Sequence, residues 1–325
     1  IAELIRSRTA AAVPAAGFDG QTRSHFESQA NLESAVGLDG SYTEGGGLGW
    51  LSEVLSAGSG DTLAPFRAVA VGSVSLPMSM AGTNDALGAP SPDALRLGAL
   101  TFKGFGTGAR YEVVAVDDSP TGADMVDLWR GSAGAPPITG VSVEGAAAVL
   151  ERLSTAPIEV PDSSLLGMDE SAPVVAAASA LLAADLGTEI VQIDMGGWDT
   201  HSAQGTLDGR FAGLLAELDA GIGALVDRHM GSGDGLVITV MTEFGRRVKE
   251  NASGGTDHGR GGLALVIGDG VDGGLKGTWP GLAELDAGDV PAVNDLRAVQ
   301  AEVAAAALGS DAATPGDSAP LGLFA

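Results

Sequence analysis

The sequence predicts an α/β fold built around a largely parallel sheet with helices on both faces. The prediction rests on the second half of the chain, where short, continuously apolar runs alternate with longer segments that have apolar residues at helical spacing. A strand that is apolar throughout is buried on both faces, which is typical of parallel sheets covered by helices.

The individual elements are clearest after residue 170. In chain order they are a helix at 172–185, a strand at 188–195, a helix at 207–229, and strands at 235–241 and 262–268. The first part predicts helices at 24–36 and 143–153, a strand at 66–76, and weaker strands at 97–102 and 111–116. We interpret the proline-containing stretches as surface connections, so that residues 1–325 form a single domain.

Composition and charge exclude several classes of function. The chain has 42 acidic and 17 basic residues, a net charge of -25, and its field would repel nucleic acids and anionic membranes. The absence of cysteine excludes disulfides, thiolate ligands and a cysteine nucleophile. No apolar run reaches the roughly 18 residues of a membrane-spanning helix, so we expect no membrane span.

Polar residues cluster directly after two predicted strands and just before a third. They predict a site for a divalent cation (zinc, manganese, magnesium or calcium), because the carboxyl ends of neighbouring strands meet in one crevice. The candidate ligands are Asp199, His201, Glu243, Asp257 and His258. In the alternative interpretation, the aspartates cap helices or turns and the histidines make local hydrogen bonds.

A further candidate segment lies near the start of the chain. Ser24 and its neighbours Arg23 and His25 stand at the start of a predicted helix, where an oxyanion would be stabilised. Ser24 could act as a nucleophile, with Arg23 holding an anionic group through two hydrogen bonds. Equally, Ser24 could be a helix N-cap, with His25 half exposed.

Several motifs together resemble a family of exported bacterial proteins of unknown function, the DUF family numbered 1501. The segments that carry the resemblance are TRSHFESQ (22–29), GLGWLSEVL (47–55), SVSLPMSM (73–80), GGWDTHSAQ (196–204), VMTEFGRRVKENASGGTDHGRGG (240–262), DLRAVQAEV (295–303) and PLGLF (320–324). The family is grouped with alkaline phosphatases and sulfatases. The resemblance therefore implies a three-layer αβα sandwich with a mostly parallel central sheet, like that of alkaline phosphatase.

The resemblance also implies roles for particular residues. Asp199 and His201 resemble the superfamily's metal-ligand loop, Glu243 an acidic ligand after the next strand, and His258 the last histidine ligand. Ser24 falls near the expected nucleophile. The family's twin-arginine (Tat) export signal and the Gly-Gly-x-Asp-Gly motif of its first strand are not found in this sequence, so we expect that the chain lacks that start.

The resulting expectation is an exported, periplasmic or secreted, metal-dependent hydrolase of phosphate or sulfate esters or a related anionic group. Its substrate would be an anionic small molecule or glycan, attacked by Ser24 or by a water that the metal activates. The alternative is a non-catalytic secreted or cell-surface binding protein that retains the metal-site loops. The sequence leaves the oligomeric state undetermined.

Overall fold

The computed structural model describes residues 1–18, 21–34, 49–57, 67–72, 77–82, 86–89, 171–184, 187–233, 235–310 and 319–325. These residues belong to two compact units, one formed by Ile1–Gly58 and Gly196–Ala325 and the other by Ser59–Met195. The elements predicted at 97–102, 111–116 and 143–153 lie outside the described residues. The single domain 1–325 stays a prediction.

The predicted elements that fall on described residues occur in the predicted order, most of them with shorter bounds. Several further elements, the strand Ala10–Gly17 among them, were not predicted. The helices are α1 (Ala2–Arg6), α2 (His25–Glu33), α3 (Trp50–Ala57), α4 (Ala172–Ala183), α5 (Arg210–His229) and α6 (Leu296–Leu308), with a 3-10 turn at Met78–Met80. The strands are β1 (Ala10–Gly17), β2 (Ala68–Val71), β3 (Ala86–Ala89), β4 (Ile190–Ile193), β5 (Val237–Val240), β6 (Arg246–Glu250), β7 (Thr256–His258), β8 (Gly262–Gly268), β9 (Gly274–Leu275) and β10 (Asn294–Asp295). Within the described ranges, no helix combines the length and apolar composition needed to cross a bilayer.

The larger unit contains a mixed sheet, and the prediction of a mostly parallel central sheet is wrong. The strand order is β10-β1-β8-β5, and β9 also pairs with β1. β8 runs antiparallel to both β1 and β5, while β9 and β10 run parallel to β1. The chain between β5 and β8 forms the antiparallel β6–β7 pair instead of a crossover helix, and a parallel neighbour requires such a crossover.

The apolar run of β8 results from burial on both faces of this sheet. Val266 belongs to a core cluster that includes Leu296 of α6. Its neighbour Ile267 points to the other face and belongs to a cluster with Ile222 and Val226 of α5. Helices therefore cover both faces, as predicted, although the strand runs antiparallel to its neighbours. The alkaline-phosphatase-like arrangement stays a prediction.

The smaller unit contains a separate, parallel sheet. β2 lies at its centre and pairs in parallel with β3 and β4. Helix α4 packs against β4 and β2. Arg67, which is buried, donates from Nε to Glu189 at 2.7 Å and so keeps its charge paired.

Candidate metal centre

One end of the mixed sheet gathers three chain segments that carry candidate residues. Ala16 pairs with Gly262, and Val240 pairs with Leu265, so the ends of β1 and β5 and the start of β8 lie at the same edge. Glu243 follows β5 by three residues, His258 precedes β8 by four, and His25 follows β1 by eight. Strand register therefore brings the polar side chains that flank β1, β5 and β8 to one edge. The strand that precedes Asp199 and His201 is β4, which pairs with β2 in the separate parallel sheet, so the prediction that these motifs follow neighbouring strands of one sheet is wrong.

Asp199 lies at the centre of the cluster. Its Oδ1 is 2.9 Å from Nε2 of His201 and 2.9 Å from Nε2 of His258. Its Oδ2 is 3.5 Å from Nε2 of His25. Three of the chain's four histidines thus present the same ring nitrogen to one carboxylate.

The other nitrogen of each of these rings faces an oxygen acceptor. The partners of Nδ1 are Glu243 Oε1 for His25 at 2.6 Å, Asp257 Oδ1 for His201 at 3.1 Å, and the Arg23 carbonyl oxygen for His258 at 2.8 Å. A carbonyl or ionised carboxylate only accepts hydrogen bonds, so each Nδ1 carries a proton and donates it. In the neutral ring, Nε2 is then left with a lone pair.

The Nε2 lone pairs of the three rings point toward the same place, and no hydrogen-bond donor among the described residues satisfies all of them. Nε2 of His201 and Nε2 of His258 are 2.8 Å apart, and both lie close to Asp199 Oδ1. Nε2 of His25 is buried and has no hydrogen-bond partner among the described residues. A proton or a cation between these atoms would remove the repulsion, since donor atoms turned toward one point are the arrangement that a metal requires.

The donor set and its spacing fit a divalent ion. His25, Asp199 and His258 could hold a metal ion, because one ligand atom from each lies within 4.8 Å of the others. His201 presents a further nitrogen to the same carboxylate.

Two carboxylates of the cluster are held in the ionised form. Burial acts to raise the pKa of Asp199, but the hydrogen bond from Arg246 and the interactions with the His258 and His201 rings outweigh it and lower that pKa to about 2. Hydrogen bonds from Asn251 and His201 lower the pKa of Asp257. Both groups are therefore anionic at neutral pH and able to interact with cations.

Arg246 places a fixed positive charge beside Asp199. Its Nη1 donates to Asp199 Oδ1 at 2.7 Å, and its Nε donates to Thr256 Oγ1 at 3.3 Å. A further hydrogen bond runs from Nη2 to the Thr256 carbonyl. Thr256 thus orients the guanidinium, and it lies on β7, the short strand that also carries Asp257 and His258.

Backbone contacts between two loops fix the distance between His201 and Asp257. The Ala203 N–H donates to the Ser253 carbonyl at 3.0 Å, and the Asn251 side chain donates to the His201 carbonyl and to Asp257 Oδ1, both at 2.9 Å. Gly255 is required at this crossing, because a Cβ there would lie 2.4 Å from the His201 carbonyl carbon. The Gly-rich sequence allows the loops to pack backbone against backbone.

Phe244 packs against two of the imidazoles. Its buried ring lies 4.8 Å from that of His25 and 4.8 Å from that of His258, measured between centroids. This contact restricts rotation of both rings and keeps their Nε2 atoms turned toward Asp199.

The structure brings all five predicted ligand residues into one network, but they contact it in different ways. Asp199, His201 and His258 meet directly, whereas Glu243 and Asp257 lie behind the histidines and accept their Nδ1–H bonds. The sequence motifs predict all five as direct metal ligands. Whether both carboxylates are also ligands stays a prediction.

The segment predicted to contain catalytic residues also reaches this cluster. The His25 ring contacts Asp199 and Glu243 and is part of the cluster. Ser24 occupies the N-cap position of α2, is half-buried, and its hydroxyl makes no hydrogen bond within the described residues. The Arg23 guanidinium is paired with Asp289. The catalytic roles assigned to these residues stay predictions.

Sequence reasoning did not assign a role to several residues that shape the cluster. These residues are Arg246, Asn251, Phe244 and Asp289, for which the sequence motifs predict no role in the cluster. Asp289 lies far in sequence from Arg23, whose side chain it holds, and no local sequence pattern predicts this contact. Asn251 and Phe244 lie inside the 240–262 motif, so their proximity to Glu243 and Asp257 was the available signal.

Fold and site together define the class of this protein. It is a mixed α/β protein with a histidine–carboxylate cluster that could hold a metal ion.

The family model described as "Protein of unknown function (DUF1501)" matches residues 147–311, which is half of the chain, and the chain belongs to this family. No curated protein and no solved structure matches the chain.

Proposed function

We propose that this protein is a divalent-metal-dependent hydrolase of phosphate or sulfate esters, or of a related anionic group. The observation that carries the proposal is the convergence of three Nε2 atoms on the Asp199 carboxylate. Each ring is held in this orientation by an acceptor at Nδ1, which is the usual arrangement behind metal-ligating histidines.

The charge of the cluster supports a divalent ion. With neutral histidines, Asp199, Glu243 and Asp257 contribute three negative charges and Arg246 contributes one positive charge, leaving a formal charge of −2. A divalent cation balances this charge. Nitrogen-rich coordination favours zinc over magnesium or calcium, which prefer sites built entirely of oxygen atoms.

The exposure of the cluster supports a reactive centre. The side chains of Asp199 and His201 are 46% and 43% exposed, so a substrate can reach them from solvent. Structural metal sites are usually closed by four protein ligands, whereas catalytic sites keep a position open. The accessible edge therefore favours catalysis over the alternative of a non-catalytic binding protein.

The chain's own residues account for the choice of an anionic substrate. The net charge of -25 repels anions at long range, so recognition of one requires a local positive group. Arg246 supplies such a group beside Asp199, and the Thr256 contacts hold its guanidinium in place. When bound, a divalent metal would polarise the ester oxygen and lower the pKa of the attacking hydroxyl.

Ser24 is the proposed nucleophile, with water as the alternative. Its hydroxyl is unengaged within the described residues, and His25 follows it directly in the chain. If Ser24 attacks, its oxygen bonds to phosphorus or sulfur, the ester bond to the alcohol breaks, and the alcohol leaves with the proton of the serine hydroxyl. Water then attacks the same phosphorus or sulfur, the bond to Ser24 breaks, one proton of the water returns to Ser24, and phosphate or sulfate is released. We further propose that the protein acts in the periplasm or outside the cell, on a small molecule or glycan, because it resembles exported proteins.

The first experiment measures bound metal in the purified chain by mass spectrometry, after incubation with zinc, manganese, magnesium and calcium. We expect stoichiometric metal in the wild type and its loss in Asp199→Ala and His258→Ala. Asp208→Ala, at an exposed position a few residues after His201, serves as the matched control and should retain the metal. Absence of metal from the wild type would overturn the proposal.

Hydrolysis of aryl phosphate and aryl sulfate esters is then measured on the metal-loaded protein. We expect turnover in the wild type and in Asp208→Ala, and none in His258→Ala. Loss of turnover in Ser24→Ala with metal content unchanged would assign the attack to Ser24, and retention would assign it to water. Stoichiometric metal without turnover of either ester class would favour the non-catalytic alternative.

A further inference from the structure

The orientation of His258 depends on a hydrogen bond to the backbone of a distant segment. Nδ1 of His258 donates to the carbonyl oxygen of Arg23 at 2.8 Å. Because a carbonyl oxygen only accepts, this bond places a proton on Nδ1 and leaves the lone pair of the neutral ring on Nε2, the nitrogen that faces Asp199. The position of the Arg23 peptide thus controls the lone pair that His258 offers to the cluster.

A buried carboxylate holds Arg23 in place. Nε of Arg23 donates to Asp289 Oδ2 at 2.8 Å, and Nη2 donates to the same oxygen. The Asp289 side chain is completely buried, and Nε of Arg247 lies 3.6 Å from its other oxygen. An ionised carboxylate is strongly disfavoured in a buried position unless it is paired, so Asp289 favours conformations that keep Arg23 beside it.

The loop that carries Asp289 also fixes the chain that follows His258. The Gly261 N–H donates to the Val290 carbonyl at 2.9 Å. A Cβ at Gly261 would lie 2.8 Å from the Pro291 carbonyl oxygen, so the two backbones are in close contact. One loop therefore positions both the donor and the acceptor of the Arg23–His258 bond.

We propose that Asp289 is a positioning residue that sets the tautomer of His258 through Arg23. The effect of Asp289 on metal affinity rests on the proposed function, whereas the effect of Asp289 on the His258 tautomer does not. Asp289 touches neither the histidine nor the other cluster carboxylates, and it acts by keeping the Arg23 carbonyl over Nδ1.

The test is histidine-selective ¹⁵N NMR of the chelator-treated protein, which reports the proton on each ring nitrogen. The chain has only four histidines, so His258→Ala suffices to assign the His258 signal. We expect a fixed Nδ1–H form in the wild type and, in Asp289→Asn, a mixture that contains the Nε2–H form. Asp286→Asn, which removes only the Arg260 ion pair on the same loop, should leave His258 unchanged.

Zinc affinity, measured by competition with a chromophoric chelator, gives the second readout. We expect Kd to rise about 10-fold to 100-fold in Asp289→Asn and to stay unchanged in Asp286→Asn. An unchanged His258 tautomer together with unchanged Kd in a folded Asp289→Asn would overturn the proposal. If the wild type binds no zinc, the proposed function fails, and the tautomer readout alone still decides the role of Asp289.

Arg23→Lys keeps the proposal testable if Asp289→Asn does not fold. The lysine retains a charge for Asp289 but cannot contact it through two nitrogens of a planar group. We expect a smaller change of the His258 tautomer in the same direction. An unchanged tautomer in this variant, with Asp289→Asn unfolded, would show that Asp289 is needed only for folding.

Discussion

In the larger unit, β8 and the loops at the end of its sheet are held in different ways. β8 buries Val266 and Ile267 in two apolar cores on opposite faces. The loops leave Asp199 and His201 partly exposed and are held by backbone hydrogen bonds, glycine contacts and charged side chains. The sheet therefore supplies most of the stability, whereas the loops determine the geometry of the cluster.

The largest expected effect is on the sheet. Ile267→Ala removes a completely buried side chain from the core under α5, and we expect the free energy of unfolding to fall by about 2–5 kcal/mol. Urea denaturation measures it. Leu275→Ala, at a position 67% exposed on β9, is the control and should change stability by less than about 0.5 kcal/mol. Equal effects in the two variants would contradict the description of the core.

The next effect is expected where the loops cross. Gly255→Ala places a methyl group 2.4 Å from the Thr200 carbonyl oxygen, so the two loops must separate, and we expect a loss of about 1–3 kcal/mol together with weaker metal binding. Thermal unfolding and metal content are the measurements.

The matched control for this variant is Gly223→Ala, inside α5, where an added Cβ meets nothing within 4 Å. Alanine is favoured over glycine in a helix by about 1 kcal/mol, so we expect unchanged or higher stability there. If Gly255→Ala were equally well tolerated, the close packing of the loops would be refuted.

Substitution of Asn251 tests how much the loops depend on side-chain hydrogen bonds, because the Asn251 side chain holds them through hydrogen bonds alone. Asn251→Ala removes the donors to the His201 carbonyl and Asp257 Oδ1, and we expect a loss of about 1–1.5 kcal/mol. Asn251→Asp keeps the oxygen that accepts from the Ser253 and Gly255 N–H groups, but it turns a carboxylate oxygen toward the ionised Asp257 and the His201 carbonyl, so we expect a larger loss than in Asn251→Ala. Equal stability of all three proteins in urea would mean that the glycine contacts suffice.

The smallest effect is expected at the ion pairs that Asp272 forms with Arg8 and Lys276 at the protein surface. Hydrogen bonds from Lys276 and Arg8 lower the pKa of Asp272, which is exposed. Its contribution to stability is therefore complete above the unfolded-state pKa of about 3.9 and is lost as pH falls through the lower folded-state pKa.

We accordingly expect the stability difference between the wild type and Asp272→Asn to be constant near neutral pH and to shrink below about pH 4. High salt should reduce it as well, because exposed charges are screened. Urea denaturation across a pH series measures the difference, and a gap that widened on acidification would have the wrong sign for this pair.

Sequence patterns predicted several elements of the fold, but they missed β1 and did not give the strand directions. The strand at 262–268 is found with those bounds, and helix 207–229 begins only three residues later, at Arg210. Apolar periodicity reports which faces are buried, and helices do cover both faces of β8. It does not report strand direction, and β8 is antiparallel because the β6–β7 pair returns the chain to the same end of the sheet.

For the candidate site, the sequence by itself determined the chemical groups and their approximate location at strand ends. Residues such as Asp199 and His258 carry recognisable chemistry within short motifs, so local sequence was sufficient to select them. Only the tertiary structure decided which ring nitrogens face Asp199 and which carboxylates lie behind the histidines. Those assignments, and the buried Asp289 that holds Arg23, depend on contacts between segments distant in the chain, whose geometry no local spacing specifies.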